Sequence, residues 1–127
     1  MARTFKNIQI EGKEAFVLFD TGSLRSYVRK EFASETRRKT IPFKVGLGGY
    51  SFEIDESCLL TCEIDGLEFD IEAHPIKGLG TDEYGRRIDA VIGAIGMEKW
   101  GLIPDPRTGE IDLTVLRKRK FIEFLGK

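Results

Sequence analysis

Thiols, imidazoles, net charge and long apolar runs are all scarce in this chain, and each scarcity excludes something. The 127 residues include two cysteines, Cys58 and Cys62, and one histidine, His74. The cysteines fall four apart in a stretch with strand character. They therefore share a face but sit roughly 13 Å apart at about 3.3 Å per residue, too far for a disulfide. With one histidine and no Cys-x-x-Cys pair there is no zinc-binding set, and both thiols are expected to be buried and structural. No metal and no cofactor are expected. Acidic and basic residues nearly cancel, 21 against 20, for a net charge of −1, which argues against a nucleic-acid partner. The basic stretch 35–40, with Arg37, Arg38 and Lys39, has no interleaved aromatic rings and reads as a solvated loop. No run approaches membrane-spanning length, and Met1-Ala2-Arg3-Thr4-Phe5-Lys6 has no apolar core of signal-peptide length. A cytoplasmic protein with no membrane partner is the expectation.

What is present is a balance of 41% apolar and 32% charged residues, in a length that suits one domain, 1–127. The most informative stretch is Phe16-Val17-Leu18-Phe19-Asp20-Thr21-Gly22-Ser23. Its apolar run lacks in-out alternation and predicts a strand buried on both faces. Asp20 then stands where a core strand meets a turn, a costly place for an idle carboxylate.

Around it the chain reads as a series of hairpins. Ile8 to Ile10 and Ala15 to Phe19 flank a turn at Gly12, and Ser26-Tyr27-Val28 follows as a short strand. Residues 29–34 suit a helical turn or two, with Phe32 inward and the charges outward. Phe43-Lys44-Val45 and Tyr50 to Ile54 flank a glycine-rich tip, Gly46-Leu47-Gly48-Gly49. Because this tip opens a strand and not a helix, a phosphate cradle is disfavoured. The clearest hairpin, 58–64 and 67–73, turns at Asp65-Gly66. The acidic row Glu68, Asp70 and Glu72 splays along its solvated face and does not converge as a cation site needs. Residues 77–87 carry three glycines and read as a surface loop, before the strand Ile88 to Gly93. Ala94 to Trp100 suits a short helix with Ile95 and Trp100 as core contacts and Gly101 as its stop. Residues 102–103 and 111–116 make one more hairpin, and the apolar segment 121–125 needs a covering surface. The sum is about nine strands and one or two short helices: an all-β protein, most simply a closed barrel.

Asp20-Thr21-Gly22-Ser23 resembles the catalytic loop of aspartic proteases. Gly46-Leu47-Gly48-Gly49-Tyr50 resembles the flap tip of the retroviral type, and Val91-Ile92-Gly93 the segment that threads behind the loop. The three occur in the family's order, and from about Phe5 to Leu116 the chain is similar to a retropepsin-like domain of the cellular or prokaryotic type. The resemblance implies a closed β-barrel of the acid-protease type, an aspartic endopeptidase activity with Asp20 catalytic, and an extended peptide or unfolded protein as substrate. Thr21 would hold two loops together across a dimer axis, Gly22 would admit backbone to the carboxylate, and Ser23 would donate to it. The flap residues would close over the substrate. Only one Asp-Thr-Gly is present, so a working pair of carboxylates needs a homodimer. Ala94 and Ile95 stand where retroviral enzymes carry dimer-tying arginine and an amide or acid, leaving segment 121–125 as a candidate tie. Three other readings stay open: a non-catalytic dimer that binds extended peptides, an Asp20 nucleophile for phosphoryl transfer, and an ordinary barrel in which Asp20 caps a turn.

Overall fold

The apolar run that precedes Asp20 is the strand β2 (Lys13–Phe19), and Phe16, Val17, Leu18 and Phe19 are all buried. The computed structural model describes residues 3–47 and 49–119, apart from the side chain of Leu47. β1 (Thr4–Ile10) pairs antiparallel with β2, and Ile10 faces Lys13 across a turn in which Glu11 and Gly12 take φ of +50° and +78°. Two successive left-handed residues match the twist of a tight hairpin, which is why glycine stands second. The same solution recurs at Asp65-Gly66, between β5 (Tyr50–Ile64) and β6 (Leu67–Ile76).

β3 (Ser26–Arg29) and β7 (Ala90–Ile92) complete the ring in the order β1-β2-β7-β3-β6-β5. Gln9 and Ile10 pair with Glu63 and Cys62 and close it, so the six strands form a barrel. Two of its seams are parallel, β2 with β7 and β3 with β6. β4 (Arg38–Leu47) lies outside the ring and pairs with β5 along a two-stranded arm.

Side-chain alternation divides the apolar residues into two cores. Ala15, Val17 and Phe19 of β2 join Ile10, Val28, Leu60, Cys62, Ile71, Ala90 and Ile92 in the first, to which every barrel strand contributes. Phe16 and Leu18, on the other face of β2, join Tyr27, Val91, Ile76 and Ile88 in the second. The arm supplies its cover: Phe43, Val45, Phe52 and Ile54 pack on this cluster. β2 is thus sandwiched, as its unbroken hydrophobicity predicts.

The architecture agrees with the all-β barrel expected from the sequence, and several local expectations are corrected. Residues 38–40 belong to β4, where Arg38 and Lys39 face Ser57 and Glu56, so only the first part of 35–40 is loop. Residues 29–34 hold a single 3-10 turn at Lys30–Phe32. Arg29 is the last residue of β3 and is buried, not outward. The helix α1 (Ala94–Trp100) has its expected bounds, and Gly101 ends it with φ +70° while its N–H reaches the Met97 carbonyl. Ile95, expected in the core, is 57% exposed; Gly96 and Met97 face inward instead. A Cβ on Gly96 would lie 3.2 Å from the Ile71 methyl, so the helix turns its small residue to the barrel to come this close. The strand expected at 111–116 is only β9 (Glu110–Asp112), paired with β8 (Ile103–Asp105). Asp112 accepts both the N–H and the hydroxyl of Thr114, and α2 (Thr114–Lys118) starts there. That side-chain bond offers the backbone an alternative to continued pairing. The same bonds hold the Asp112 carboxyl below its ordinary value. Segment 121–125 lies outside the described residues.

Cys58 and Cys62 are free and buried. Burial, with smaller contributions from the charges of Glu11 and Asp70, pushes the Cys62 thiol from 9.0 up to about 12. The folded chain keeps a proton that the unfolded chain releases above 9.0. Stability is therefore expected to be independent of this group below pH 9 and to fall as pH rises from about 9 toward about 12. Equilibrium unfolding of the wild type and Cys62→Ala across that range checks it. A slope that Cys62→Ala leaves unchanged removes the thiol as its cause.

Candidate active site

Asp20 leaves the end of β2 half-buried, with its backbone N–H still bonded to the Ile92 carbonyl at 3.0 Å. The chain then reverses: Ser23 N–H donates to the Asp20 carbonyl at 3.1 Å, and Gly22 N–H to the Asp20 Oδ1 at 2.9 Å. A Cβ on Gly22 would stand 3.2 Å from that same oxygen, so glycine is what lets the amide and the carboxylate meet freely. The carboxylate is held by its own loop, as a local turn of this type holds an aspartate. Thr21 projects from the turn and is exposed.

Gly93 follows β7 and lies directly behind the loop. An added Cβ there would fall 2.2 Å from the Arg25 carbonyl oxygen and 2.6 Å from that of Ser23. Ala94 N–H donates to Ser23 O at 2.7 Å and Ile95 N–H to Leu24 O at 3.2 Å. Gly93 N–H itself is bonded to the Ser26 hydroxyl at 3.0 Å. Backbone thus meets backbone from Ser23 and Leu24 to Ala94 and Ile95, with the Ser26 hydroxyl taking the Gly93 N–H beside them. Of the residues singled out in the sequence, Asp20, Thr21, Gly22, Ser23, Ile92 and Gly93 are brought together here. Val91 turns instead to the second core beside Leu18. The Ser23 hydroxyl donates to the Arg25 carbonyl at 2.8 Å, where the family resemblance expects it on the Asp20 carboxylate.

The residues expected to form a flap lie at the end of the β4–β5 arm. Gly46 faces Ser51 and Leu47 faces Tyr50, with Gly49 at φ +84° in the turn and Tyr50 73% exposed; Gly48 is outside the described residues. The arm is tied to the chain after the loop about halfway along its length, where the Arg25 guanidinium stands 3.9 Å from the Phe43 ring centre and His74 meets the same ring edge-on at 5.1 Å. Burial pushes the neighbouring Tyr27 hydroxyl up, partly offset by the Arg25 charge. A hollow of about 130 Å³ opens beside the carboxylate, between Leu18, Asp20 and Thr21 on one side and Arg3, Pro104 and Pro106 on the other. Among the described residues no three histidine, cysteine, aspartate or glutamate side chains converge as metal ligands.

Sequence reasoning missed four residues of this neighbourhood: Arg25, Phe43, Arg29 and Asp89. Only Asp89 carried a signal, as a lone charge inside the apolar run Ile88-Asp89-Ala90-Val91-Ile92.

No protein-family model and no curated protein sequence matches the chain. Solved structures do. The retroviral protease-like domain of Ddi1 from Leishmania major superposes with a TM-score of 0.54 at 13% identity, covering 88% of either chain. A protein of unknown function (DUF785) from Legionella pneumophila, Lpg0085, gives 0.52 at 15% identity, covering 84% of this chain and 95% of that one. The fold is retropepsin-like. At these identities the likeness extends to the path of the backbone and not to chemistry. Among the described residues no helix is long and apolar enough to cross a membrane.

Proposed function

We propose that the chain is an aspartic endopeptidase that works as a homodimer, with Asp20 of each copy forming the catalytic pair. The observation that carries this reading is the placement of Asp20: a half-buried carboxylate at the end of a doubly buried strand, oriented by Gly22 N–H and braced from behind by Gly93. A carboxylate held by its own loop beside a hollow is suited to acid–base work. One alone does not complete the chemistry. The ionised member takes a proton from a shared water, whose oxygen attacks the peptide carbonyl carbon, while the protonated member donates to the developing oxyanion. Collapse of that intermediate returns a proton to the leaving amine. Two carboxylates close enough to share one water do not both ionise, so the pair would hold a single proton between them.

The exposed Thr21 would meet its symmetry mate on the two-fold axis. The substrate would lie extended as an added strand, under the Gly46 to Tyr50 flap, with alternate side chains filling apolar pockets. At micromolar concentration, sedimentation is expected to return twice the chain mass of 14.4 kDa. A strict monomer under conditions where casein is cut would sink the paired mechanism. Pepstatin is expected to abolish the cleavage.

A second reading, a dimer that binds extended peptides without cutting them, is favoured by one observation. The Ser23 hydroxyl is turned to the Arg25 carbonyl and not to the carboxylate. Pepstatin-insensitive binding of an unfolded peptide with no cleavage would select it.

A further inference from the structure

The brace behind Asp20 rests on a very short strand. β7 pairs with β2 through three residues (Val17↔Ala90, Leu18↔Val91, Phe19↔Ile92) and with β3 through two (Tyr27↔Val91, Val28↔Ala90). Register in so short a strand is weakly held by side-chain pattern, because Ala90, Val91 and Ile92 are all apolar and all buried. Yet register is what matters here. A slip by one residue would bring Ile92 or Ala94 under the Ser23 and Arg25 carbonyls, where Gly93 already leaves no space for a Cβ.

Immediately before β7, Asp89 makes four hydrogen bonds to the two flanking strands. Its N–H donates to Phe16 O at 2.8 Å, and its carbonyl accepts Arg29 N–H at 2.9 Å. Its Oδ2 accepts Phe16 N–H at 2.8 Å and its Oδ1 accepts Arg29 Nη1 at 2.7 Å. The two side chains are 17% and 11% exposed, and Arg29 also pairs with Glu31. A slip would break every one of these bonds and leave the mostly buried Asp89 carboxylate without its cation, a heavy penalty, while Arg29 would keep only the more exposed Glu31. Phe16 lies four residues before Asp20 and Asp89 four before Gly93, so the clamp sits at equal distance from the two ends it relates.

We infer that Arg29 and Asp89 are positioning residues: a charged register lock that sets Gly93 beneath the Asp20 loop. The catalytic part of this inference rests on the function proposed above; the geometric part does not. The test compares wild type with Asp89→Asn and Leu60→Ala as a control of similar stability, all as the full chain. Two readouts are taken below the unfolding transitions: backbone amide resonances, and kcat and KM on a peptide that the wild type cuts. Asp89→Asn is expected to shift the amides of Gly22, Ser23, Gly93 and Ala94, and to lower kcat by roughly 100-fold with KM little changed, since a misplacement of about 1 Å carries such a cost. Leu60→Ala is expected to do neither. If Asp89→Asn does not fold, Arg29→Gln and Arg29→Lys take its place. Arg29→Lys, which keeps a cation on Asp89, is expected to recover most of what Arg29→Gln loses. Loop amides that move no more in the clamp variants than in Leu60→Ala overturn the lock, as does a kcat that merely follows stability. Should the wild type cut nothing, the protease reading fails and the amide comparison still decides the lock.

Discussion

Asp20→Asn protein is expected to fold and dimerise as the wild type does and to leave unfolded substrate uncut. Asparagine has nearly the shape of aspartate, and its amide oxygen can accept the Gly22 N–H as Oδ1 does at 2.9 Å. The loop therefore keeps its turn, and a half-exposed isosteric change alters stability by about 0.5 kcal/mol or less. What it loses is the proton. An amide neither takes one from water nor gives one to an oxyanion, and in a homodimer both members of the pair are changed at once. Positioned acid–base catalysis is worth roughly 10²–10⁴-fold, so the rate of casein cleavage at mildly acidic pH should fall by about 10³-fold or more. The thermal midpoint should move by only about 2 °C. Cleavage that persists in the mutant would remove Asp20 from the chemistry, and loss of cleavage with loss of the dimer would leave the assignment undecided between roles. Sedimentation of the mutant separates those cases.

The second large effect belongs to Gly93→Ala. The new Cβ would stand 2.2 Å from one carbonyl oxygen and 2.6 Å from another, and both oxygens are backbone. No rotamer change relieves such a contact, so β7 and the loop must part. Overpacking of a tight interior costs about 1–3 kcal/mol and sometimes more, and this contact belongs at the top of that range. A fall in the thermal midpoint of roughly 10 °C is expected. Activity should fall beyond what stability explains, because the loop that carries Asp20 is the part displaced. Two controls bracket the result. At Gly96 the nearest atom is an Ile71 methyl at 3.2 Å, which can yield, so Gly96→Ala should cost much less. At Gly78 there is open space and no positive φ, and alanine should be tolerated within about 0.5 kcal/mol. Equal losses at Gly93 and Gly78 would show that the backbone contact behind the loop is not tight.

The reach of the sequence can be judged element by element. The strand Phe16 to Phe19 was legible because an unbroken apolar run has few other uses, and the two hairpin turns because Glu11-Gly12 and Asp65-Gly66 carry the left-handed backbone they need. The bounds of Ala94–Trp100 were legible from Gly93 and Gly101. The direction of that helix was not. Seven residues with Ile95, Met97 and Trp100 spread around them define no single apolar face, and the choice fell to Gly96, the residue that allows closest approach to β6. The alternation at 111–116 imitated a strand, and one carboxylate–threonine contact decided otherwise.

The candidate site divides along the same line. Asp20-Thr21-Gly22-Ser23 is a local turn whose bonds run within four residues, so local chemistry suffices to identify it. That one such loop occurs, and that a second copy is needed for a carboxylate pair, is a matter of counting and required no coordinates. The rest is made by contacts between residues far apart in the chain. Gly93 meets Ser23 and Arg25 only because β7 enters parallel to β2, and no residue pattern announces a parallel seam of three residues. Arg29 looked like an outward charge at the start of a helical turn, and Asp89 like a lone charge in an apolar run. Sixty residues separate them, and a buried ion pair is invisible until both partners are placed. Local free-energy preferences write themselves into short sequence patterns, whereas register and pairing across the barrel depend on which distant groups satisfy one another once water is gone.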